Sequence, residues 1–264
     1  PDTDLGGELD GIEVRLNKNP LDPRDDQTWT ARYNLSNNSL KPSTYPQMLA
    51  YGNTAHVLYI DPGPSNDRLT YREFNRKNWS TASKINHVTN VNMFSAQMTD
   101  SGDLYAFFVE NETDISYRRR ASTGTWDSIQ SVENRPNYIF YLNANTRDLM
   151  KIIWVELEGT NYNLYFKERD KTSWQPTELV LSSSLPIKSI NIEIDNTNKV
   201  YVTYHQQFTI YMITRSISGV WSAPMAVQGL YGIMEGSALF YDQFTDRLYL
   251  ACLLYTSPSP RDRT

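Results

Sequence analysis

The sequence predicts an all-β fold of repeated four-stranded antiparallel units, and the spacing of its tryptophans is the main observation behind that prediction. Five of the six tryptophans follow one another at intervals of 50, 47, 48 and 47 residues. They are Trp29, Trp79, Trp126, Trp174 and Trp221. No stretch of the chain repeats its apolar residues with a sustained helical period. Four short strands in a unit of about 47 residues are typical of one blade of a β-propeller.

The text before each tryptophan repeats the same elements, and these give the order of strands in a blade. A run of consecutive apolar residues predicts a second strand that is buried on both faces. A tyrosine followed by basic residues, such as Tyr117 and Arg118, predicts a third strand nearer the solvent. Turn-forming residues stand between the first two strands. In one unit, the four expected strands are Tyr138–Leu142, Met150–Glu156, Leu164–Arg169 and Trp174–Val180.

The number of repeats sets the expected size of the propeller. The apolar run Leu248–Ala251 has the composition expected at the start of a further unit. We therefore expect a partial propeller of about five blades over residues 1–251. The complete ring, in a longer protein of which this chain is a fragment, is expected to hold roughly six to eight blades.

The last residues carry a different signal. Residues 252–262 have the sequence CLLYTSPSPRD, which resembles the translation of a transposase-type sequencing adapter. We therefore expect residues 252–264 to be a non-native read-through tail, and the alternative is a natural tail rich in serine and proline. Cys252 is the one cysteine of the chain. On the first interpretation, residues 1–251 have no cysteine for a disulfide, a metal site or a nucleophile.

Charge and hydropathy argue against two classes of function. The net charge is −5 and charged residues make up 21% of the chain. A protein that binds nucleic acid by neutralising phosphates normally carries an excess of lysine and arginine. No window approaches the roughly 18 consecutive apolar residues that would cross a bilayer. We therefore expect neither a nucleic-acid partner nor a membrane span.

The turns before two of the tryptophans resemble a known repeat. Residues 122–126 are STGTW and residues 216–221 are SISGVW. With the strand order above, they resemble the BNR (Asp-box) repeats of sialidase-like propellers, in which Ser-x-Asp-x-Gly-x-x-Trp joins the third and fourth strands. The glycine and tryptophan are present here and the boxed aspartate is absent, so the boxes are degenerate. The organisation of residues 12–251 is also similar to fungal fucose-binding lectin propellers. Because one fold serves many functions, both resemblances imply the fold and no particular activity.

One repeated position, at the end of the second strands, holds the candidate ligand-binding residues. Counting back 16 or 18 residues from successive tryptophans reaches Asp61, Glu110, Glu156 or Glu158, and His205. Equal offsets in equivalent blades place side chains at equal heights, so we predict a polar ring at the mouth of the central channel. The alternative is that polar residues simply emerge into water where strands end.

The tryptophans also allow two interpretations. Their strict register with the turns favours packing between blades, in largely buried positions, over an array of platforms for stacking sugars. Trp154 breaks the period and is expected in the core, beside Ile153 and Val155.

Together these features predict a non-catalytic carbohydrate- or protein-binding module that is secreted or lies on the cell surface, with a glycan or protein as its partner. The alternative is a glycan-active enzyme of sialidase-like fold, either a hydrolase or a lyase. Sialidase chemistry would imply three clustered arginines, and Arg135-Pro136 lacks the intervening residue of an Arg-Ile-Pro motif. The sequence assigns no catalytic residue, metal site or cofactor. A lectin should repeat aromatic-lined pockets between blades, whereas an enzyme should gather titratable groups with shifted pKa values in one central pocket.

Overall fold

The computed structural model describes residues 35–36, 42–75, 78–86, 90–146, 149–170, 172–227 and 233–255. Of residues 233–235 and 253–255 it describes the backbone alone. The chain separates into two compact units, residues 1–37 and 38–264, and the described strands all belong to the second. All regular secondary structure in the described ranges is β-strand, which confirms the predicted all-β class.

The strands form four antiparallel four-stranded sheets, here called blades 1 to 4, each in the order of the sequence. The strands of blades 1 and 2 are β1 (Thr44–Tyr51), β2 (Thr54–Asp61), β3 (Arg68–Phe74), β4 (Ser83–Lys84), β5 (Val91–Met98), β6 (Leu104–Glu110), β7 (Asp114–Arg120) and β8 (Gln130–Asn134). Those of blades 3 and 4 are β9 (Ile139–Asn145), β10 (Lys151–Glu158), β11 (Asn161–Glu168), β12 (Glu178–Ser183), β13 (Ile187–Ile194), β14 (Val200–Gln206), β15 (Thr209–Arg215) and β16 (Met225–Ala226). A fifth sheet has two strands, β17 (Ile233–Asp242) and β18 (Arg247–Tyr255).

The blades stand around a common axis, with their first strands side by side. β1, β5, β9, β13 and β17 contact one another in that sequence. A polar side chain in the middle of each of the first four of these strands contacts the next sheet. Gln47 Oε1 accepts from the Ala96 amide at 2.8 Å, and Ser95 Oγ accepts from the Ala144 amide at 3.2 Å. These bonds satisfy backbone groups of the inner strands that no strand of their own blade pairs.

The ring of polar side chains continues through the remaining blades. Asn143 Nδ2 donates to the Ile190 carbonyl at 3.0 Å, and Asn191 Nδ2 donates to Ser237 Oγ at 3.0 Å. The four polar residues, Gln47, Ser95, Asn143 and Asn191, therefore follow one another at intervals of 48 residues.

One apolar layer lies between each pair of consecutive blades from blade 1 to blade 4. The first, second and third strands supply most of each layer, and consecutive buried residues such as Phe107 and Phe108 face opposite neighbours. Phe108 belongs to the layer between blades 1 and 2, and Phe107 to the layer between blades 2 and 3. Because alternate residues of a strand point to opposite faces, this arrangement explains the runs of consecutive apolar residues in the second strands.

The periodic tryptophans pack between blades at equivalent positions. Trp126 meets the ring of Tyr71, and Trp174 meets the ring of Tyr117, in edge-to-face contacts with centroids 5.2 and 6.2 Å apart. Trp221 makes the same contact with Phe166 at 5.2 Å. Each indole therefore covers an aromatic ring of the preceding blade, as the periodicity favoured.

The tryptophans of blades 1 to 4 are partly buried, and each lies at the outer rim of its interface. One detail of the prediction is wrong. The fourth strand of blade 3 begins at Glu178 instead of Trp174. Trp174 forms one isolated bridge with Arg169, and Pro176 follows it without an amide proton to continue the ladder.

Some predictions about the chain ends concern residues that the structure does not describe. Trp29 and residues 256–264 lie outside them. β18 continues through Cys252 and pairs with β17 as far as Tyr255. The assignment of residues 252–264 to a read-through tail stays a prediction.

Candidate functional site

Consecutive blades form polar clefts beside their third strands. The first cleft lies between blades 1 and 2 and has a volume of about 330 Å³. Glu73 of β3 and Arg120 of β7 meet in it, where Arg120 Nη2 donates to Glu73 Oε2 at 2.5 Å. The Tyr71 hydroxyl donates to the same carboxylate oxygen at 3.1 Å. The arginine also lies over the Tyr71 ring, 5.3 Å from its centroid. The charge of Arg120 is thus neutralised within the protein.

A histidine completes the first cleft. His56 Nδ1 and the Tyr71 hydroxyl are 2.8 Å apart, and His56 Nε2 lies 3.0 Å from Thr54 Oγ1. Burial lowers the pKa of His56, an effect that Glu73 opposes and Arg120 reinforces. The imidazole is therefore neutral at pH 7 and joins the network by hydrogen bonds rather than by charge.

The second cleft lies between blades 2 and 3 and is larger, about 430 Å³. Tyr105, Tyr117, Arg119 and Arg169 line it. Arg119 Nη2 donates to Asp103 Oδ2 at 2.8 Å, and its Nη1 donates to Asp127 Oδ2 at 3.2 Å. Burial raises the pKa of Tyr105, while the charges of Arg119 and Arg169 oppose this shift. Both guanidinium groups therefore act on the same hydroxyl.

The equivalent position between blades 3 and 4, called the third cleft below, contains Arg215. Arg215 Nη2 contacts Glu178 Oε1 at 2.7 Å and Glu168 Oε1 at 3.3 Å. The indole nitrogen of Trp221 donates to Glu178 Oε2 at 2.8 Å. The Arg215 guanidinium lies 5.0 Å from the centroid of the Phe166 ring. Two carboxylates and two aromatic rings thus enclose this arginine.

The three clefts are built at equivalent positions. One isolated β-bridge joins each cleft arginine to the tryptophan of its own blade, and these bridges are Arg120 to Trp126, Arg169 to Trp174, and Arg215 to Trp221. The residue facing the arginine from the preceding blade lies at one place in the third strand. It is Glu73, Arg119 or Glu168, paired across strands with His56, Tyr105 or Lys151 respectively.

The glycines of the degenerate boxes support two of these arginines. Gly124 has φ +100° and Gly219 has φ +84°, conformations that favour glycine. A Cβ on either would lie 3.3 Å from Nη2 of Arg120 or Arg215. These glycines therefore let the turn pack against a guanidinium group, with no boxed aspartate involved.

Glu156 and Glu158, the two alternatives for one strand-end position, both belong to β10. Glu156 is fully buried, and its Oε1 accepts from Arg135 Nη2 at 2.5 Å. Glu158 is exposed, and its Oε2 accepts from the Tyr165 hydroxyl at 3.1 Å and from Asn163 Nδ2 at 2.8 Å. Burial raises the pKa of Tyr165, and both glutamates raise it further. Glu156 Oε2 has no hydrogen-bond partner among the described residues.

The other strand-end residues face different interfaces. Glu110 lies on the same face of β6 as Phe108, in the layer between blades 1 and 2. His205 lies on the face of β14 opposite Tyr204, away from the layer between blades 3 and 4. Ser43 Oγ donates to Asp61 Oδ1 at 2.9 Å in blade 1. Burial lowers the pKa of His205. A ligand-binding role for these residues stays a prediction.

A separate cavity of about 300 Å³ lies where the first strands end. Asp100, Glu193 and Asp242 line it together with Asn145 and Phe240. Asn145 Nδ2 donates to Glu193 Oε2 at 3.0 Å. Hydrogen bonds from Thr245 and from the Phe244 amide lower the pKa of Asp242, which favours its charged form. This cavity holds carboxylates from three different sheets.

The cleft arginines were not predicted, because the candidate residues were taken from the ends of the second strands and these arginines lie at the ends of the third strands. Arg120, Arg169 and Arg215 stand five or six residues before their tryptophans, as the isolated bridges indicate. That offset was a usable signal. What the sequence could not indicate is that each arginine faces a residue of the preceding blade.

No family model matches the sequence, and no curated protein is similar to it. Solved structures match the fold. A lectin from Burkholderia pseudomallei aligns with a TM-score of 0.55 at 10% identity, over 76% of this chain and 63% of the lectin. The chain thus spans less than two thirds of that lectin's length. An endo-arabinase from Bacteroides thetaiotaomicron aligns with a TM-score of 0.53 at 10% identity, over 78% of this chain and 87% of the enzyme.

A third match is a GH32 β-fructofuranosidase from Bombyx mori, with a TM-score of 0.50 at 9% identity, over 82% of this chain and 56% of the enzyme. The fold is a β-propeller. At these identities the propeller is the whole of what the likeness establishes, since binding proteins and glycan-active enzymes both occur among the matches. Among the residues that the structure describes, no helix is long and apolar enough to cross a membrane.

Proposed function

We propose that this propeller is a non-catalytic carbohydrate-binding module whose ligands occupy the clefts between blades. The observation that carries the proposal is the repetition of one cleft design, with an arginine from one blade facing aromatic residues of the preceding blade. Repeated clefts suit a ligand that presents several similar groups, because binding at linked sites raises the overall affinity. Sugars fit the donors and acceptors present, since their hydroxyls can both donate and accept hydrogen bonds.

The second cleft is the best equipped for a ligand. Its tyrosines Tyr105 and Tyr117 offer ring faces and hydroxyl groups, and Gln130 offers an amide. The volume of about 430 Å³ lies in the range of small-molecule sites. A protein ligand is less well matched, because the clefts are polar recesses rather than an extended apolar surface.

The test is binding of the chain to a glycan array, repeated with one variant for each proposed location. Arg169→Ala changes the second cleft, while Glu110→Gln and His205→Ala change the predicted strand-end ring. We expect Arg169→Ala to reduce binding to at least one glycan class and the other two variants to bind like the parent. Equal binding by all three variants would remove both locations, and losses confined to Glu110→Gln and His205→Ala would favour the ring.

A glycan-active enzyme is the second candidate, and the cavity at the ends of the first strands favours it. Asp100, Glu193 and Asp242 there provide carboxylates for acid–base or nucleophilic work. The lowered pKa of Asp242 suits a stabilising carboxylate and not a general acid. Release of new reducing ends from a glycan, abolished by Glu193→Gln, would establish this candidate instead.

A further inference from the structure

The three clefts differ at one position, and the difference leaves one arginine without an ion pair among the described residues. In the first and third clefts, the residue facing the arginine is a glutamate, Glu73 or Glu168. In the second cleft that residue is Arg119. A glutamate there would have paired with Arg169, as in the neighbouring clefts. The second cleft therefore has a second guanidinium group at the place where the others have a carboxylate.

Nearby carboxylates are already engaged by other groups. Asp103 and Asp127 both bind Arg119. Asp170 follows Arg169 directly, but its Oδ1 accepts from the amides of Thr172 and Ser173, and its Oδ2 accepts from the side chain of Gln175. Among the residues that the structure describes, Arg169 forms no side-chain ion pair, although it lines the cleft.

The rest of the cleft supplies hydrogen-bond donors beside the Arg169 guanidinium group. The charges of both guanidinium groups, Arg119 and Arg169, act to lower the pKa of the Tyr105 hydroxyl. Ser128 and Gln130 line the same space and carry further donors. A guanidinium group forms two parallel hydrogen bonds to a planar carboxylate, which makes it the best side chain for recognising one. An incoming carboxylate would take the place that Glu73 and Glu168 fill in the other clefts.

We propose that the second cleft binds the carboxylate of an acidic sugar, with Arg169 as its main contact and Arg119 and Tyr105 beside it. This inference rests on the proposed glycan-binding function and names its ligand class. The first and third clefts carry no such preference, because Glu73, Glu168 and Glu178 already neutralise their arginines.

The experiment compares trigalacturonate with the neutral trisaccharide α-1,4-galactotriose in calorimetric titrations of the chain. We expect trigalacturonate to bind at least tenfold more tightly at 50 mM salt. Its affinity should fall as salt is raised, because the pairing is partly exposed and screened. Arg169→Ala should remove the preference, and Arg169→Lys should retain part of it, since lysine keeps the charge and lacks the planar fork.

Arg247→Ala is the matched control, because it removes an exposed arginine of β18 outside the cleft. It should leave both affinities unchanged, and thermal melting of all variants should confirm that they fold. An equal loss with Arg247→Ala would assign the preference to overall charge and overturn the proposal. Binding of galactotriose that is weakened by Arg169→Ala, without preference for the acid, would overturn the carboxylate assignment and leave the proposed function standing.

A sulfated galactotriose separates carboxylates from other oxyanions. Sulfate is tetrahedral and spreads its charge over three terminal oxygens, so we expect it to bind at least threefold more weakly than trigalacturonate. Equal or tighter binding of the sulfated sugar would overturn the assignment to carboxylates. Failure of every sugar to bind would overturn the proposed function as well.

Discussion

The second and third clefts share one backbone design and differ in what their arginines do. Arg215 is enclosed by Glu168, Glu178 and two aromatic rings, so it joins blades 3 and 4. Arg169 occupies the same place in its blade and faces Arg119. A single position in the third strand therefore decides whether an inter-blade arginine serves the fold or is available to a ligand.

The comparison requires that the apolar layers beside the two clefts are equally well packed. A substitution of Trp154, in the layer beside the second cleft, tests this and has the largest expected effect. Its side chain is fully buried between blades 2 and 3. Trp154→Ala should lower the free energy of unfolding by roughly 3–5 kcal/mol, as measured by urea denaturation. Trp154→Phe is the control and should cost much less, because the buried indole nitrogen has no hydrogen-bond partner among the described residues. A cost below about 1 kcal/mol for the alanine variant would mean that the second cleft is merely loose packing.

The arginines themselves should separate next. Arg215→Ala should destabilise the chain by about 2–3 kcal/mol, because it leaves two carboxylates unpaired and exposes aromatic surface. Arg169→Ala should change stability by less than about 0.5 kcal/mol, since no ion pair is lost among the described residues. Urea unfolding of the two variants side by side measures the contrast. Equal destabilisation would show that Arg169 is also structural.

Gly219 tests how the turn supports Arg215. Gly219→Ala should cost about 1–2 kcal/mol, because alanine is strained at φ +84° and its Cβ would press on the guanidinium group. In the Arg215→Ala background the same change should cost less, because the steric part disappears. A double-mutant cycle on thermal unfolding gives this coupling. Strict additivity would remove the contact from the explanation and leave backbone strain alone.

The smallest effect concerns pH and distinguishes the first cleft from the second. The folded-state pKa of His56 is lowered mainly by burial. The unfolded chain therefore binds more protons as the pH falls through about 6.5, and stability decreases from there down to the folded-state pKa. His56→Gln should reduce the loss of stability between pH 7.5 and 5.5, whereas Tyr105→Phe at the equivalent place should not. His205 contributes with the same sign, so part of the loss should remain in His56→Gln.

The sequence by itself determined the repeat and most of the strands. The tryptophan spacing predicted the four-stranded blades, because each blade has its own tryptophan at the equivalent position and packs it against the neighbouring blade. Consecutive apolar residues predicted the second strands, because a strand between two blades is buried on both faces. The polar side chains of the first strands, Gln47, Ser95, Asn143 and Asn191, also recur at a constant interval. They were not predicted, since polar residues in these strands resembled the ordinary alternation of a half-buried strand.

Only the tertiary structure decided which residues share a cleft. Arg169 and Arg119 are 50 residues apart in the sequence, and their strands belong to different sheets that share no hydrogen-bonded register. The offset from the tryptophan indicates where along its strand a residue lies. Its contacts depend on which face of the strand it occupies and on how the neighbouring blade is oriented. For this reason Glu110 and His205 share an offset of 16 residues from their tryptophans and still face opposite neighbours, Glu110 toward the preceding blade and His205 away from it.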